Sequence, residues 1–483
     1  MNCSAYYHYF LACIVLGLWC FFALSACSPK NEESQQSESK SAEQTEASAE
    51  TTTSAETTAS AETTASADTT APADTTAAAD TTAAAETTAA ADTTAAAEAN
   101  DVQPADGSLE QLKRDAEANP GDASRITRYF EALLDNGRPA DARQFYRTLS
   151  YEMRALPQVR TLFYRTFELD DQFPKEAQTV SGKDIDDISP LGGGTTLTFK
   201  FIKDGNKIGA FKPHQKRRNS NYRSEIASWR LCEMLQCDFR IPRNRMVRVE
   251  KKEFNRLYNL SKSSNRESYR KGFDDLIWTV LSHSSYVYGT LKDWVPDFTS
   301  FPIEFVDMWR NWVGQANYMD SFPDLKDALA PIKKHDNIRS YYDALMAQAA
   351  DLTTKELASQ ISQMLTFDYL IGNWDRFSIL INQRGRNCQF KDGHLVSIDN
   401  GASFVKVDMK YIVVRFNYIE RFNRRFVEEI RMLDKEETFR ILFPSQSKLD
   451  RSNFSEFWDR RTQVLERIDA LCAEYGEDKV LSL

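Results

Sequence analysis

Apolar residues change their spacing several times along the chain, and each change predicts a different kind of element. Residues 106–184 place apolar side chains at helical intervals, interrupted by "NPGD" and "NGRP", which are typical helix ends. We therefore predict a small helical subdomain whose hairpins resemble tetratricopeptide repeats. One or two hairpins are too few for a solenoid, so two interpretations stay open: a subdomain packed on the rest of the chain, or a peptide-docking unit.

From residue 185 the spacing becomes that of strands. Residues 192–214 alternate apolar and polar positions around a turn at Asp204 and Gly205, which predicts antiparallel strands. Residues 221–237 then follow a helical pattern. Further strands are predicted at "MVRVE" and in the segment 285–298, where a strand leads into a connector.

From Phe301 the chain is mostly helical and rich in aromatic residues. Residues 355–373 form a predicted long helix, followed by two short strands in "FSILINQ" and "HLVSIDNGASF" and by closing helices. The long helix has apolar residues near one face, namely Leu357, Ile361, Met364, Leu365 and Tyr369. The predicted fold of residues 185–483 is therefore α+β and two-lobed, with a small antiparallel-sheet lobe that carries one helix and a larger helical lobe.

The first 105 residues have a composition that predicts export. Residues 10–26 are an uncharged apolar run of 17 residues, short for a spanning helix and typical of a signal peptide, which we assign to residues 1–26. The run ends in "LSAC", which resembles the bacterial lipobox. That resemblance implies lipid on Cys27 and attachment to the outer membrane or cell surface of a bacterial envelope. An ordinary signal peptide or anchor that ends in a cysteine is the alternative.

Residues 27–105 are predicted to be a disordered linker. A Thr/Ala-rich unit of six residues recurs there, and it has no large apolar side chain that could form a core. The chain as a whole has a net charge of −10, but residues 30–106 hold 16 acidic residues and two lysines. Residues 107–483 hold 58 basic and 54 acidic residues. This small excess of basic residues argues against a nucleic-acid-binding protein, which usually has a strongly basic surface.

The positions of histidine and cysteine residues bear on metal binding and on disulfide formation. The five histidines are scattered, which argues against a histidine metal cluster. After export and lipidation four cysteines would remain, and sequence alone leaves three disulfide pairings or buried free thiols open. These cysteines are Cys232, Cys237, Cys388 and Cys472.

Four charged residues stand in an order that suits phosphoryl transfer. Lys212 lies on a predicted strand, and Glu225 comes 13 residues later on a predicted helix. Asp375 comes directly after the long helix, and Asp399 lies 24 residues further on, at a strand end before a glycine turn. A lysine can neutralise phosphates, one carboxylate can accept a proton, and another can hold a divalent metal. Each residue alone is ordinarily a surface group or a turn residue, so the prediction rests on their order.

The sequences around these residues resemble a known family. "GAFKPH", "SEIASWRL", "RIPRNRMV", "YGTLKDWVP", "FDYLIGNWDR" and "IDNGASF" are similar to the secretory-pathway kinases of the Golgi casein kinase and four-jointed group, over residues 190–405. "GNWDR" also resembles spore-coat kinases of the CotH type, while "FKP" and "DYLIGN" favour the first group. The resemblance implies an atypical kinase-like fold that uses ATP with Mg or Mn.

The resemblance also implies a role for each residue. Lys212 would bind the nucleotide phosphates, Glu225 would pair with it, Asp375 would be catalytic, and Asp399 would ligate the metal. "GTLKDWVP" would lie near the linker between the lobes and contact adenine. The glycines of "LGGG" would cover the phosphates; they are Gly192, Gly193 and Gly194.

Two positions depart from the family pattern. Phe377 follows the Asp-Arg pair where the family often has histidine, and Leu380 stands where related folds carry a metal-binding asparagine. Asn382 is the nearest candidate for that second metal ligand. The expected function is phosphorylation of Ser or Thr in exported proteins. The alternatives are a pseudokinase that acts as a scaffold at the cell envelope, and a sugar or small-molecule kinase.

Overall fold

The structure is a computed structural model of the chain. It describes residues 108–191, 196–216, 220–264, 280–283, 285–314, 321–335, 338–349, 351–377, 387–406 and 409–483. The predicted signal peptide, the lipidation site Cys27 and the linker lie outside these ranges. Gly192, Gly193, Gly194, Leu380 and Asn382 lie outside them as well. No helix within the described ranges is both long enough and apolar enough to span a membrane.

The described residues begin with a group of helices. In chain order they are α1 (Leu109–Ala118), α2 (Ala123–Asp135), α3 (Pro139–Tyr146), α4 (Tyr151–Arg154) and α5 (Pro157–Leu169). The two predicted breaks separate α1 from α2 and α2 from α3. At the first break the Asp122 side chain accepts hydrogen bonds from the backbone N–H groups of Ser124 and Arg125. At the second, Pro139 occupies the first helical position, where its missing N–H costs nothing.

A seven-stranded sheet comes next along the chain. Its strands are β1 (Gln178–Val180), β2 (Asp187–Pro190), β3 (Phe199–Lys203), β4 (Asn206–Pro213), β5 (Asn244–Glu250), β6 (Ser282–His283) and β7 (Tyr286–Asp293). The strand order is β1-β5-β7-β4-β3-β2, and β6 also pairs with β7. All pairs are antiparallel except β1 with β5. The predicted turn at Asp204 and Gly205 joins β3 to β4.

The two faces of this sheet differ, because successive side chains on a strand point to opposite sides. One face is apolar and packs against α7 (Lys251–Ser264), a helix that the sequence pattern did not predict. The other face carries Lys212 opposite Thr290, and Lys292 opposite Ala210, towards α6 (Tyr222–Leu235). The strand pattern therefore places two lysines side by side on one surface.

The rest of the chain forms the helical lobe. Its helices are α8 (Val306–Val313), α9 (Leu325–Leu329), a 3-10 helix (Ala330–Lys334), α10 (Arg339–Gln348), α11 (Thr354–Ile371), a 3-10 turn (Asn400–Ala402), α12 (Lys410–Phe416), α13 (Arg424–Arg431), α14 (Lys435–Leu442), α15 (Lys448–Tyr475) and α16 (Glu477–Val480). A small sheet has the order β10-β9-β8, built from β8 (Thr299–Ser300), β9 (Cys388–Lys391) and β10 (His394–Ser397). The two-lobed α+β arrangement predicted from the sequence is confirmed.

Helix α11 is the centre of the helical lobe. Its predicted apolar face is buried, but so are its other sides, from Leu357 to Ile371. Several of its buried polar side chains form hydrogen bonds, whereas the buried Thr366 hydroxyl has no partner among the described residues. Gln360, for example, accepts from the backbone N–H of Leu395 at 2.7 Å and donates to the carbonyl of Gly393 at 3.0 Å. An apolar stripe alone understates the burial of a helix that is surrounded by other elements.

The hairpin after α11 differs in part from the prediction. Strand β10 is present as expected, but it pairs with Cys388–Lys391 through a tight turn at Asp392 and Gly393. The predicted strand in "FSILINQ" lies, except for Phe377, outside the described residues. The Asp-Gly pair that makes the actual turn is a local hairpin signal, although the apolar pattern around it predicted a different first strand.

One continuous apolar core joins the first helices to the helical lobe and to α6. Phe173, just after α5, stacks on Trp229 of α6 with ring centroids 4.4 Å apart. The helices at 109–169 are thus packed on the elements that come after them, while the domain boundary at residue 184 stays a prediction. The four cysteines of this part of the chain are free thiols.

Candidate active site

Lys212 and Glu225 form a buried ion pair between the sheet and α6. Lys212 lies near the end of β4, and Glu225 lies in the first turn of α6. Lys212 Nζ is 3.0 Å from Glu225 Oε1. Burial alone would lower the pKa of Lys212, but the charges of Asp399 and Glu225 outweigh it and raise that pKa. Lys212 therefore carries a positive charge in a place that water does not reach.

Glu225 has more partners than the sequence indicated. Its Oε2 lies 3.2 Å from Nζ of Lys292 on β7 and accepts the backbone N–H of Asn400 at 3.0 Å. Burial would raise the pKa of Glu225, but the two lysines lower it below its usual range. Lys292 was not among the predicted site residues. The signal was available, since alternation along β4 and β7 puts it on the same face as Lys212.

Asp399 completes this group from the helical lobe. It follows β10 in the left-handed conformation, with φ 56° and ψ 57°, directly before the 3-10 turn. Its carboxylate is hydrogen-bonded to Lys212 Nζ, and its side chain is 42% exposed. A non-glycine residue in this conformation is uncommon and often marks a functional position. The structure thus brings Lys212, Glu225 and Asp399 together from three separate elements.

The loop that carries Asp375 is held by a buried arginine. Helix α11 ends at Gly372, which is left-handed with φ 68°, and the chain then folds back. Arg376 binds both oxygens of Asp368, each at 3.0 Å, and also donates to Asn400 Oδ1 at 2.7 Å. Both Arg376 and Asp368 are buried. Arg376 is therefore not a surface group, and its carboxylate partner is the aspartate eight residues before it.

This arginine connects the two loops of the site. Besides Asp368, it donates to the carbonyl oxygens of Asn387 and Ile398 and to the Ser397 hydroxyl. Asn373 joins them too, since its side-chain amide donates to Asn400 Oδ1 at 3.1 Å. These hydrogen bonds tie the loop after α11 to the turn after β10, and so they position Asp375 relative to Asp399.

Asp375 is half-buried and sits close to the charges of the site. Its backbone N–H donates to Asn373 Oδ1 at 3.1 Å, and its carbonyl accepts from the Asn387 side chain at 2.7 Å. Burial, and then the negative charge of Asp399, raise the pKa of Asp375 to about 6, although Lys212 pulls it down. A carboxylate with such a pKa is ionised at neutral pH but more basic than an ordinary aspartate.

Phe377 lies directly after this loop and is buried. The guanidinium carbon of Arg415, from α12, lies 3.8 Å from the centroid of its ring. Burial lowers the pKa of Arg415 to about 10. Phe377 thus places an apolar ring under a cation directly after the Asp375-Arg376 pair, and this ring offers no group for proton transfer.

The residues present fit a divalent cation and a nucleotide. Asp399, Asp375 and Glu225 are carboxylates, and oxygen ligands are those that Mg²⁺ and Mn²⁺ prefer. Gly401 shows how tightly the group is built, since a Cβ there would lie 2.8 Å from Lys212 Nζ and 3.4 Å from Glu225 Oε1. Among the described residues, no group of three or more His, Cys, Asp or Glu side chains is arranged to hold a metal ion. Lys212 occupies the Asp399 carboxylate that a cation would need.

The predicted adenine segment runs between the lobes. "GTLKDWVP" covers the end of β7 and the connector that leads to β8 of the small sheet. A cavity of about 1080 Å³ is lined in part by Val295 of this segment, together with residues such as Glu233, Arg240 and His394. It includes none of the four predicted charged residues, so we place the chemistry at the charged cluster and not in this cavity.

The comparisons with known proteins find similar structures but no similar sequences. No protein-family model matches the chain, and no curated protein matches its sequence. Among solved structures, the Golgi casein kinase with Mn/ADP bound is similar at 15% identity and a TM-score of 0.41, covering 62% of this chain and 75% of that one. The Helicobacter pylori proinflammatory kinase CtkA is similar at 11% identity and a TM-score of 0.32, covering 62% and 99%. Because both likenesses are weak, the functional conclusion depends on the side chains.

Proposed function

We propose that this protein is an ATP-dependent kinase that transfers the γ-phosphoryl group to a hydroxyl, in the first place of Ser or Thr in exported proteins. The observation that carries the proposal is the convergence of four charged residues from separate elements. A buried lysine is shared by a buried glutamate and an exposed aspartate, and a second aspartate with a raised pKa lies within reach of their charges. Phosphoryl transfer depends mainly on charge neutralisation and positioning, which such a group supplies.

Each residue has a distinct part in this proposal. Lys212 binds the phosphates, and Glu225 holds its ammonium group in place. Asp399 is the ligand for Mg or Mn, which would neutralise phosphate charge when bound. Asn382, the second predicted metal ligand, lies outside the described residues, as do Gly192, Gly193 and Gly194. Lys212 must leave Asp399 for the cation to bind there, and Glu225 keeps the lysine close by.

Asp375 is the proposed base. It accepts the proton of the acceptor hydroxyl as oxygen attacks the γ-phosphorus, while the bond to the β,γ-bridging oxygen of ATP breaks and ADP leaves. The buried Arg376 positions Asp375 by tying its loop to the turn that carries Asp399. The predicted lipid on Cys27 and the linker of residues 27–105 would place this activity at the outer membrane or the cell surface.

The test is phosphoryl transfer by the mature chain with labelled ATP, Mg or Mn, and a panel of protein and sugar acceptors. We expect Asp399→Asn to reduce transfer by at least about a thousandfold, because it removes the charge that holds the cation. Asp375→Asn should reduce it by roughly 10²- to 10⁴-fold. Asp392→Asn is the matched control, since Asp392 is 64% exposed on the β9–β10 turn. Transfer that persists unchanged in both site variants would overturn the proposal.

A second candidate is a pseudokinase that binds nucleotide and recruits a partner. The observation in its favour is Phe377, buried against Arg415 where the related family often has histidine. Nucleotide binding without transfer to any acceptor in the panel would select this candidate. Transfer to sugars but not to proteins would select a sugar or small-molecule kinase.

A further inference from the structure

Lys292 is a second cation at the site, and none of the proposed catalytic and binding roles uses it. Its side chain is 15% exposed, and its Nζ lies 3.2 Å from Glu225 Oε2. Lys212 engages the other carboxylate oxygen at 3.0 Å. The fully buried Glu225 is therefore compensated twice, once by each lysine, where a single lysine would balance its charge.

Lys292 is also fixed in position. It lies on β7, a central strand that pairs with β4 on one side and with β5 on the other. Its neighbours across the strands are Ala210 and Asn244, which carry no charge. Glu225 is the carboxylate against which its ammonium group rests. This cation consequently stays at the site whether or not Lys212 changes partner.

The charges of the group can be counted in two states. With Lys212 on Asp399, the two lysines Lys212 and Lys292 balance Glu225 and Asp399, so the group is neutral. When Asp399 holds a divalent cation instead of Lys212, the remaining three residues carry one net positive charge. If Lys292 were absent, Lys212 and Glu225 would form a single ion pair with no net charge. In a buried place of low dielectric constant, one unit of charge acts strongly on a nearby phosphate.

We propose that Lys292 is a second counter-charge for the nucleotide phosphates. It keeps Glu225 compensated, so Lys212 can turn to the phosphates, and it adds one positive charge behind them. This inference rests on the proposed function, because it assumes that the site takes a nucleoside di- or triphosphate. It implies that Lys292 contributes to the affinity for such a nucleotide with or without a divalent cation, because its loss makes the group one unit more negative in both states.

The test compares ADP binding with excess chelator and with Mn²⁺, by calorimetry on the mature chain. Lys292→Gln removes the charge but keeps a donor for Glu225. We expect it to weaken ADP binding about tenfold in chelator and by less in Mn²⁺, because the cation then supplies part of the missing charge. Lys292→Arg should retain affinity in both conditions. Lys203→Gln is the matched control, a lysine of the same sheet that pairs with the exposed Asp186.

The outcomes separate the two proposals. If Lys292→Gln binds ADP in chelator as tightly as the wild type does, the proposed role of Lys292 is wrong and the kinase proposal stays intact. The role of Lys292 is also overturned if Lys292→Gln weakens ADP binding equally in chelator and in Mn²⁺ and Lys292→Arg weakens it as well. That result would indicate that Lys292 contributes packing and not charge. Absence of ADP binding by the wild-type chain in both conditions overturns the kinase proposal itself, and this inference with it. If the wild type binds ADP only with Mn²⁺, an unchanged affinity of Lys292→Gln in Mn²⁺ overturns this inference alone.

Discussion

Two fully buried glutamates in this protein each face two cations, and they lie in regions of different character. Glu225 joins α6 to the sheet through Lys212 and Lys292. Glu429 of α13 joins the helical lobe to the first helices through Arg154 and Arg160. Both carboxylates are wholly removed from water, so both would be costly without their cations.

The cations differ in how firmly they are held. Arg160 donates to Glu429 Oε2 at 3.0 Å and also to the hydroxyls of Tyr146 and Tyr164, both at 2.6 Å. Burial and the charge of Glu429 raise the pKa of Tyr146, so this phenol stays neutral. Guanidinium groups bind in a planar fork with several fixed bonds. The cluster around Glu429 thus has one arrangement.

The lysines at Glu225 bind as point charges. Lys212 is shared with Asp399, whose side chain is 42% exposed, so an incoming cation or phosphate can change its partner. One region therefore uses arginines, each with more than one hydrogen bond, to hold elements together. The other uses lysines and one exposed carboxylate, and its charges can be redistributed. The choice of cation separates a structural cluster from a functional one.

The largest effect on stability is expected at the structural cluster. Glu429→Gln leaves the buried Arg160 without a counter-charge, while Arg154 keeps Glu428, and it should reduce the free energy of unfolding by about 3–5 kcal/mol. Glu225→Gln should cost less, about 1–3 kcal/mol, because Lys212 keeps Asp399 as a partner and Lys292, which loses its carboxylate, is 15% exposed. Chemical denaturation of both variants measures the difference. An equal loss, or a larger one at Glu225, would contradict the distinction between the two clusters.

A smaller effect is expected from Gly401→Ala. The added Cβ would lie 2.8 Å from Lys212 Nζ, the free end of a flexible side chain, so the stability loss should be roughly 1 kcal/mol. Nucleotide affinity should fall about tenfold, because the displaced lysine no longer sits on Glu225. Gly121→Ala is the control, since a Cβ there meets nothing within 4 Å. Unchanged affinity in Gly401→Ala would show that Lys212 does not contribute to nucleotide binding.

The smallest effect on stability, with the opposite sign, is expected at Asp375. Its pKa in the folded protein is about 6, above the ordinary 3.8, so the folded state binds the proton more tightly than the unfolded chain does. The ionised carboxylate therefore reduces stability above about pH 6, and this penalty disappears as the pH falls towards 4. Asp375→Asn should melt at the same temperature as the wild type or higher at pH 7.5, and the two should converge near pH 4.

The pH dependence of transfer gives a second readout of the same residue. A base must be unprotonated, so activity should fall on the acidic side with an apparent pKa at or below about 6, since a bound cation lowers it further. Asp392→Asn should keep this limb unchanged. A lower melting temperature for Asp375→Asn at pH 7.5 would mean that Asp375 supports the fold, which contradicts its assignment as a base.

Much of the architecture was predictable because its signals are local. The breaks between the first helices, the turn at Asp204 and Gly205, and the end of α11 all result from residues with strong conformational preferences. The order of Lys212, Glu225, Asp375 and Asp399 was visible too. The helix α7 and strand β9 were missed, since short or mixed patterns there resemble loops as much as regular structure.

Local pattern thus decided where the helices and strands lie and which charged residues to examine. The tertiary structure alone decided which charges meet. It put Lys292 on Glu225, the buried Arg376 on Asp368, and Lys212 on Asp399 across 187 positions of the chain. The physical reason is that periodicity reports burial and conformation over a few residues, whereas an ion pair depends on how distant elements pack. A charged residue in an apolar segment indicates that a partner exists, and packing determines which one.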